Sequence, residues 1–180
     1  MDKLLLSNNI LIGLLWEPET MSSLEPGAQA VFRGMVKAHR RLVYKDHDGK
    51  MAIGYSEKVS TLYEPFAIYV KELFGDGIYL SHRGDDYTYL LIINQGRIVS
   101  GTDCFVAKEL FDEIMRHPEQ YEHLEITELT YVQLGVIIEK CHSHQQSLKR
   151  RRRFVIGLIF ASGIIFLLIV AMVLHFIVAG

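Results

Sequence analysis

Apolar and polar positions change their spacing several times along this chain, and each change marks an expected element. Asn9 to Trp16 (NILIGLLW) is a continuous apolar run between Asn8-Asn9 and Glu17-Pro18, which predicts a buried strand. Pro26-Gly27 opens a stretch to about His39. There Ala28, Val31, Phe32, Met35 and Val36 recur at i, i+3, i+4, i+7 and i+8, one face of a helix. Arg41 to Tyr44 and Met51 to Tyr55 flank Asp46-His47-Asp48-Gly49, whose Asp-Gly predicts a hairpin. Leu62 to Phe74 returns to helical spacing (Leu62, Phe66, Tyr69, Val70, Leu73). Pro65 belongs in its first turn, and Gly75 to Gly77 ends it.

Three strands follow, Ile78 to His82, Tyr87 to Asn94 and Arg97 to Ser100, turned by Gly84-Asp85-Asp86 and Asn94-Gln95-Gly96 into a meander. Thr102 or Asp103 is expected to cap a helix reaching Arg116, with Val106, Leu110, Phe111, Ile114 and Met115 on one side. His117-Pro118 stops it. Leu124 to Ile126 reads as a short strand. Leu129 to Cys141 is helical in period and continues through Ser143 to Leu148, although Thr127 and Thr130 make no capping box. This mixture predicts an α/β (α+β) head with a mixed, largely antiparallel sheet.

The pattern then stops alternating. Phe154 to Ala179 carries no formal charge over 26 residues, and Lys149-Arg150-Arg151-Arg152-Arg153 stands immediately before it. About 20 apolar residues suffice for a helix to cross hydrocarbon, and basic residues flank such spans on the cytoplasmic side. The expected organisation is a cytoplasmic head over 1–148, a basic collar over 149–153 and a transmembrane helix over 154–179. That places the chain in a membrane as a single-pass protein with its N-terminal domain in the cytoplasm. The five collar cations are the expected lipid contacts. Gly157 and Ala161, a small-xxx-small pair, allow helix–helix packing and a homodimer.

Charge sharpens the division. Apart from the collar, 14 Lys and Arg face 21 Asp and Glu, a net of −7 behind the chain's overall −2. An acidic head argues against nucleic acid as a partner. Two cysteines, Cys104 and Cys141, in a reducing compartment argue against a structural disulfide.

Four sets of residues carry candidate chemistry. Cys141-His142-Ser143-His144 holds metal-ligand types, but on a helix only Cys141 and His144 share a face. Ser81-His82-Arg83-Gly84-Asp85-Asp86 collects triad residue types on a strand and turn, where neighbours point apart. Asp46, Asp48, Asp85, Asp86 and Asp103 could be drawn as a two-metal set, yet they fall at turns and a cap, where Asp is favoured for backbone hydrogen bonding. Gly96 to Asp103 (GRIVSGTD) has two glycines near an expected helix start but matches neither GxxxxGK[ST] nor GxGxxG. No catalytic, cofactor or metal residue follows from these readings. The aromatics Trp16, Tyr44, Tyr55, Tyr63, Phe66, Tyr69, Phe74, Tyr79, Tyr87 and Tyr89 are expected mostly in the core, with some, such as Tyr63 or Tyr87, free to anchor a partner.

Three antiparallel strands followed by helix, strand and helix is the opening order of ribonuclease H-like and actin-like folds. In that setting Tyr89 to Ile98 (YLLIINQGRI), then Thr102-Asp103, is similar to the strand, turn-glycine, strand, Asp pattern of type IVb pilus inner-membrane assembly proteins. Their cytoplasmic domains are related to the actin-like domain of the type II secretion L-component. The resemblance covers about residues 50–175. It implies a scaffold and not an enzyme, one that docks the assembly ATPase and the polytopic inner-membrane platform protein through acidic and aromatic surface. Family members usually continue into a periplasmic domain, whereas this sequence stops at Gly180. The alternatives are a membrane-anchored hydrolase or nuclease of ribonuclease H-like fold, and a conjugation or type IV secretion membrane component.

Overall fold

A computed structural model of the chain describes residues 1–18, 21, 25–45, 49, 51–57, 63–116 and 121–179, with side chains in the last helix described to 164 and at 166. Two compact units divide it, Met1–Cys141 and His142–Gly180.

The first unit is α+β. Its elements are α1 (Asp2–Ser7), β1 (Ile10–Leu11), β2 (Leu15–Trp16), α2 (Pro26–Val36), β3 (Arg40–Lys45), β4 (Met51–Ser56), β5 (Glu64–Pro65) and α3 (Phe66–Phe74). Then come β6 (Gly77–Arg83), β7 (Tyr87–Asn94), β8 (Arg97–Ile98), β9 (Cys104–Ala107), α4 (Lys108–Arg116), β10 (Ile126–Glu128) and the start of α5 (Tyr131–Ala179).

The main sheet runs β10-β6-β7, with β8 and β9 both paired to the far side of β7. The β6–β7, β7–β8 and β7–β9 pairs are antiparallel, whereas β10 lies parallel to β6, Ile126 opposite Ile78. Strand β7 explains the sheet's stability. Thr88 to Ile93 are all buried. Because successive side chains alternate sides, Tyr89, Leu91 and Ile93 enter one core with α1, α3 and the Leu134–Ile137–Cys141 edge of α5. Leu90 and Ile92 enter a second core with Ile78, Leu80, Val106 and the Phe111 and Ile114 side chains of α4. A strand covered on both sides reads as an unbroken apolar run, as YLLII does.

A second, three-stranded sheet has the order β2-β4-β3. The expected hairpin is present as the antiparallel β3–β4 pair, Val43 opposite Ile53. Its turn residues Asp46 and Asp48 lie outside the described residues, as do His117 and Pro118.

Several expectations are corrected. The run from Asn9 to Trp16 is not one strand. It breaks at residues 12–14, where Gly13 adopts φ +80°, and its halves join different partners: β1 pairs parallel with β5, and β2 antiparallel with β4. Pro65 precedes α3 instead of sitting in its first turn, its φ of −78° and ψ of 125° still extended. The helix expected from Thr102 begins only at Lys108, because Cys104 to Ala107 extend along β7 as β9. Thr130 does cap α5. Its hydroxyl accepts from the Gln133 amide at 3.3 Å, and the Gln133 side chain accepts from the Thr130 amide at 2.8 Å, a reciprocal box that starts three residues after Thr127.

The largest correction concerns the C-terminus. Among the described residues no helix is long and apolar enough to cross a membrane. Helix α5 contains the cationic stretch Lys149 to Arg153 within its own length. The α+β head stands, but the transmembrane helix over 154–179 and the single-pass inner-membrane localisation drawn from it are not supported.

Candidate functional site

The most concentrated polar arrangement centres on Asp103, whose side chain is 1% exposed. Four donors surround it. Oδ1 accepts from the Tyr89 hydroxyl at 2.6 Å and the Gly13 amide at 3.2 Å. Oδ2 accepts from the Trp16 indole Nε1 at 2.9 Å and the Leu14 amide at 3.2 Å. The donors come from three places: the 12–14 break, β2 and the middle of β7. Just beyond, the Ser100 hydroxyl donates to the Trp16 carbonyl at 2.6 Å.

Local sequence builds each arm. Gly13 takes the left-handed backbone that turns two successive amides toward one carboxylate, a conformation costly for residues with a Cβ. Tyr89 reaches inward because its position on β7 faces the first core, where Phe66 and Phe105 meet its ring edge-on at 5.7 and 5.6 Å. Trp16 is held between Tyr44, 6.1 Å away, and Gly54, where an added Cβ would stand 2.8 Å from Leu14 Cδ2 and 3.4 Å from the indole.

The electrostatics follow from burial. Desolvation pushes the Asp103 carboxyl up to about 6, although all four hydrogen bonds pull the other way by favouring the ion. Burial and the neighbouring Asp103 charge together raise the Tyr89 hydroxyl well above its ordinary value, so it stays a donor. The Cys104 thiol is also raised, first by burial and then by Asp103. Both carboxylate oxygens are thus occupied by the chain itself. Chemically the group is a brace: it ties the N-terminal segment to the β7–β9 pair and satisfies three donors that would otherwise be buried unpaired, with the half-buried Gly13 amide as a fourth.

A second polar group lies in the same core. The Tyr69 hydroxyl donates to Glu64 Oε2 at 2.7 Å. Burial is the main cause of its raised pKa, with Glu64 and then Cys141 adding to it. Tyr44, also desolvated and near Glu64, is pushed up to about 12.

The residues singled out by sequence fare differently. Asp103 leaves the proposed carboxylate set. It is sealed in the core as a brace, while Asp85 and Asp86 sit exposed in the β6–β7 turn. His82 Nδ1 lies 2.9 Å from the Thr88 hydroxyl across the β6–β7 pair, and Arg83 pairs with Asp2 at 3.0 Å and stacks over Phe105. Ser81, His82 and the turn acids therefore do not converge. Cys141 is buried whereas His142 and His144 are exposed, and among the described residues no group of three His, Cys, Asp or Glu could hold a metal ion. Residues 96–103 lead into strand β9, so the expected helix start at their end is absent; the Gly96 amide instead donates to Asp76. The collar residues Lys149 to Arg153, with Gly157 and Ala161, are exposed on α5.

Sequence reasoning did not join Trp16, Tyr89 and Asp103. The legible signal was a lone acid between Gly101 and the apolar stretch Cys104 to Ala107; its partners lie 14 to 90 residues away. No protein-family model matches the chain, and neither a curated protein nor a solved structure matches it.

Proposed function

We propose that the chain is a non-catalytic docking scaffold of a type IV pilus or type II secretion-like assembly machine, with the assembly ATPase as its principal partner and the platform protein as a second. The observation that carries this reading is the strand arrangement after α3. An antiparallel β6–β7–β9 set, helix α4, a fourth strand parallel to β6 and then α5 is the order that opens ribonuclease H-like and actin-like folds. The most buried acid among the described residues supports it too, because Asp103 is committed to holding the fold together.

Recruitment is the mechanism: the rigid two-sided sheet presents fixed surface, and partner binding draws on side chains the fold leaves uncovered. The test is co-elution of the purified chain with the assembly ATPase of the machine. A stable complex is expected, and failure to bind any component of the machine overturns the proposal.

A further inference from the structure

One surface of the head has a composition unlike the rest. Residues 26–45 contain Arg33, Lys37, Arg40, Arg41 and Lys45 and no Asp or Glu, in a head whose net charge is −7. Cross-strand partners in an antiparallel pair point the same way, so Arg41, Val43 and Lys45 share the outer face of the small sheet with Tyr55, Ile53 and Met51. The opposite face sends Leu42 and Tyr44 into the core.

Helix α2 covers only one end of that outer face. Its Phe32 packs edge-on against Tyr55 at 5.8 Å and is the helix's one buried residue. Val31 and Met35, beside it, are 64% and 51% exposed. At the uncovered end Val43 and Met51 are 44% and 62% exposed. Apolar side chains on a helix and on the neighbouring sheet face, left open together, form a seat for one further element. Among the described acids near its margin, Glu17 accepts from Tyr55 at 3.0 Å, whereas Glu57 is exposed and lies 3.7 Å from His39.

We infer that the α2–β3–β4 face is a docking seat for an acidic amphipathic helix of a protein partner, its apolar stripe on Val31, Met35, Val43 and Met51 and its acids beside Lys37, Arg41 and Lys45. The cations select the occupant's charge. Val43 stands between Arg41 and Lys45 on the outward row, so an apolar stripe lying there is flanked by positive charge. Blunting of the β3 edge by cations accounts for lysine and arginine on the strand, but not for the exposed Val31 and Met35 on the helix. This inference rests on the docking reading above and names the surface that serves it.

The test uses the full-length chain and two fluorescein-labelled amphipathic peptides of about 20 residues with the same leucine stripe, one flanked by glutamate and one by lysine. The glutamate peptide is expected to bind, and Val43→Asp with Met51→Asp to weaken it at least about tenfold. Lys37→Glu with Lys45→Glu should weaken it by a similar factor and transfer preference to the lysine peptide. Both pairs are exposed substitutions, and unchanged thermal unfolding and circular dichroism confirm that each variant is folded. Equal binding of both peptides, binding of neither, or binding untouched by both variants overturns the inference. So does a phosphatidylglycerol vesicle or an oligonucleotide that takes the same face, seen as binding lost in Lys37→Glu/Lys45→Glu. If wild type and Val43→Asp/Met51→Asp co-elute equally with the assembly ATPase, this seat is wrong while the scaffold reading stands. If the glutamate peptide binds as described and no machine component does, the seat stands and the scaffold reading falls.

Discussion

The five-stranded and the three-stranded sheets of the head are finished differently. Strand β7 is covered on one side by α3 and the edge of α5 and on the other by α4, so its six central residues are all buried. In the β2–β4–β3 sheet one face joins the same core, while on the other, among the described residues, Phe32 of α2 meets Tyr55 and Val43 and Met51 stay exposed. The difference is written in the strand sequences. YTYLLIIN needs two apolar environments, whereas RRLVYK alternates and needs one. A face that the fold does not need to bury is one that selection can use for something else.

Substitutions can break this contrast, beginning at the core. Leu91→Ala, on β7, is expected to cost about 3–4 kcal/mol, read as a lower urea midpoint at constant slope, because the cavity lies between packed elements that cannot close on it. Asp103→Asn should cost about 2 kcal/mol at neutral pH, since the amide nitrogen must face two of the four donors. If that variant unfolds like wild type, the brace is not structural.

The same pair carries a pH signature. The folded carboxyl titrates near 6 against an ordinary 3.8, so the folded chain holds this proton more tightly than the unfolded one. The group's stabilising contribution is complete below the unfolded value and is lost as pH rises through the folded one. The stability difference between wild type and Asp103→Asn should therefore fall between about pH 4 and pH 6 and stay level above. Urea titrations at stepped pH would show it, and a difference that grows over that interval contradicts the assignment.

Smaller effects sharpen the contrast. Thr130→Ala removes the capping hydroxyl of α5 and should cost about 1 kcal/mol, visible as faster amide exchange in the helix's first turn. Val43→Thr, at the open face, should change stability by less than about 0.5 kcal/mol while a Leu91 variant unfolds. A large loss at Val43 would mean that the outer face is part of the core.

Legibility tracks the range of the interactions. The β6–β7 meander, the β3–β4 pairing and helix α2 were readable because turn residues and periodicity act within a few positions. The strand at Cys104 to Ala107 was not. Val106, Leu110 and Phe111 satisfy a helical spacing, and only the open side of β7 made an extended path better for residues 104–107. The break at Gly13 was hidden for a related reason: the apolar run around it is continuous, and the cause of the break is a carboxylate 90 residues away. The face of α2 shows the limit from the other side. Its periodicity announced five apolar positions, but periodicity does not say whether a neighbour arrives to cover them, and only Phe32 is buried.

The amino-acid sequence by itself determined the mixed class, most element positions and the charge contrast between residues 26–45 and the remaining head. These depend on local propensity and on composition, which need no knowledge of the fold. Tertiary structure alone decided which apolar positions became interior and that Asp103 would be a brace instead of a helix cap. Burial and desolvation belong to what surrounds a group, and neighbours distant in sequence are chosen only when the chain has folded.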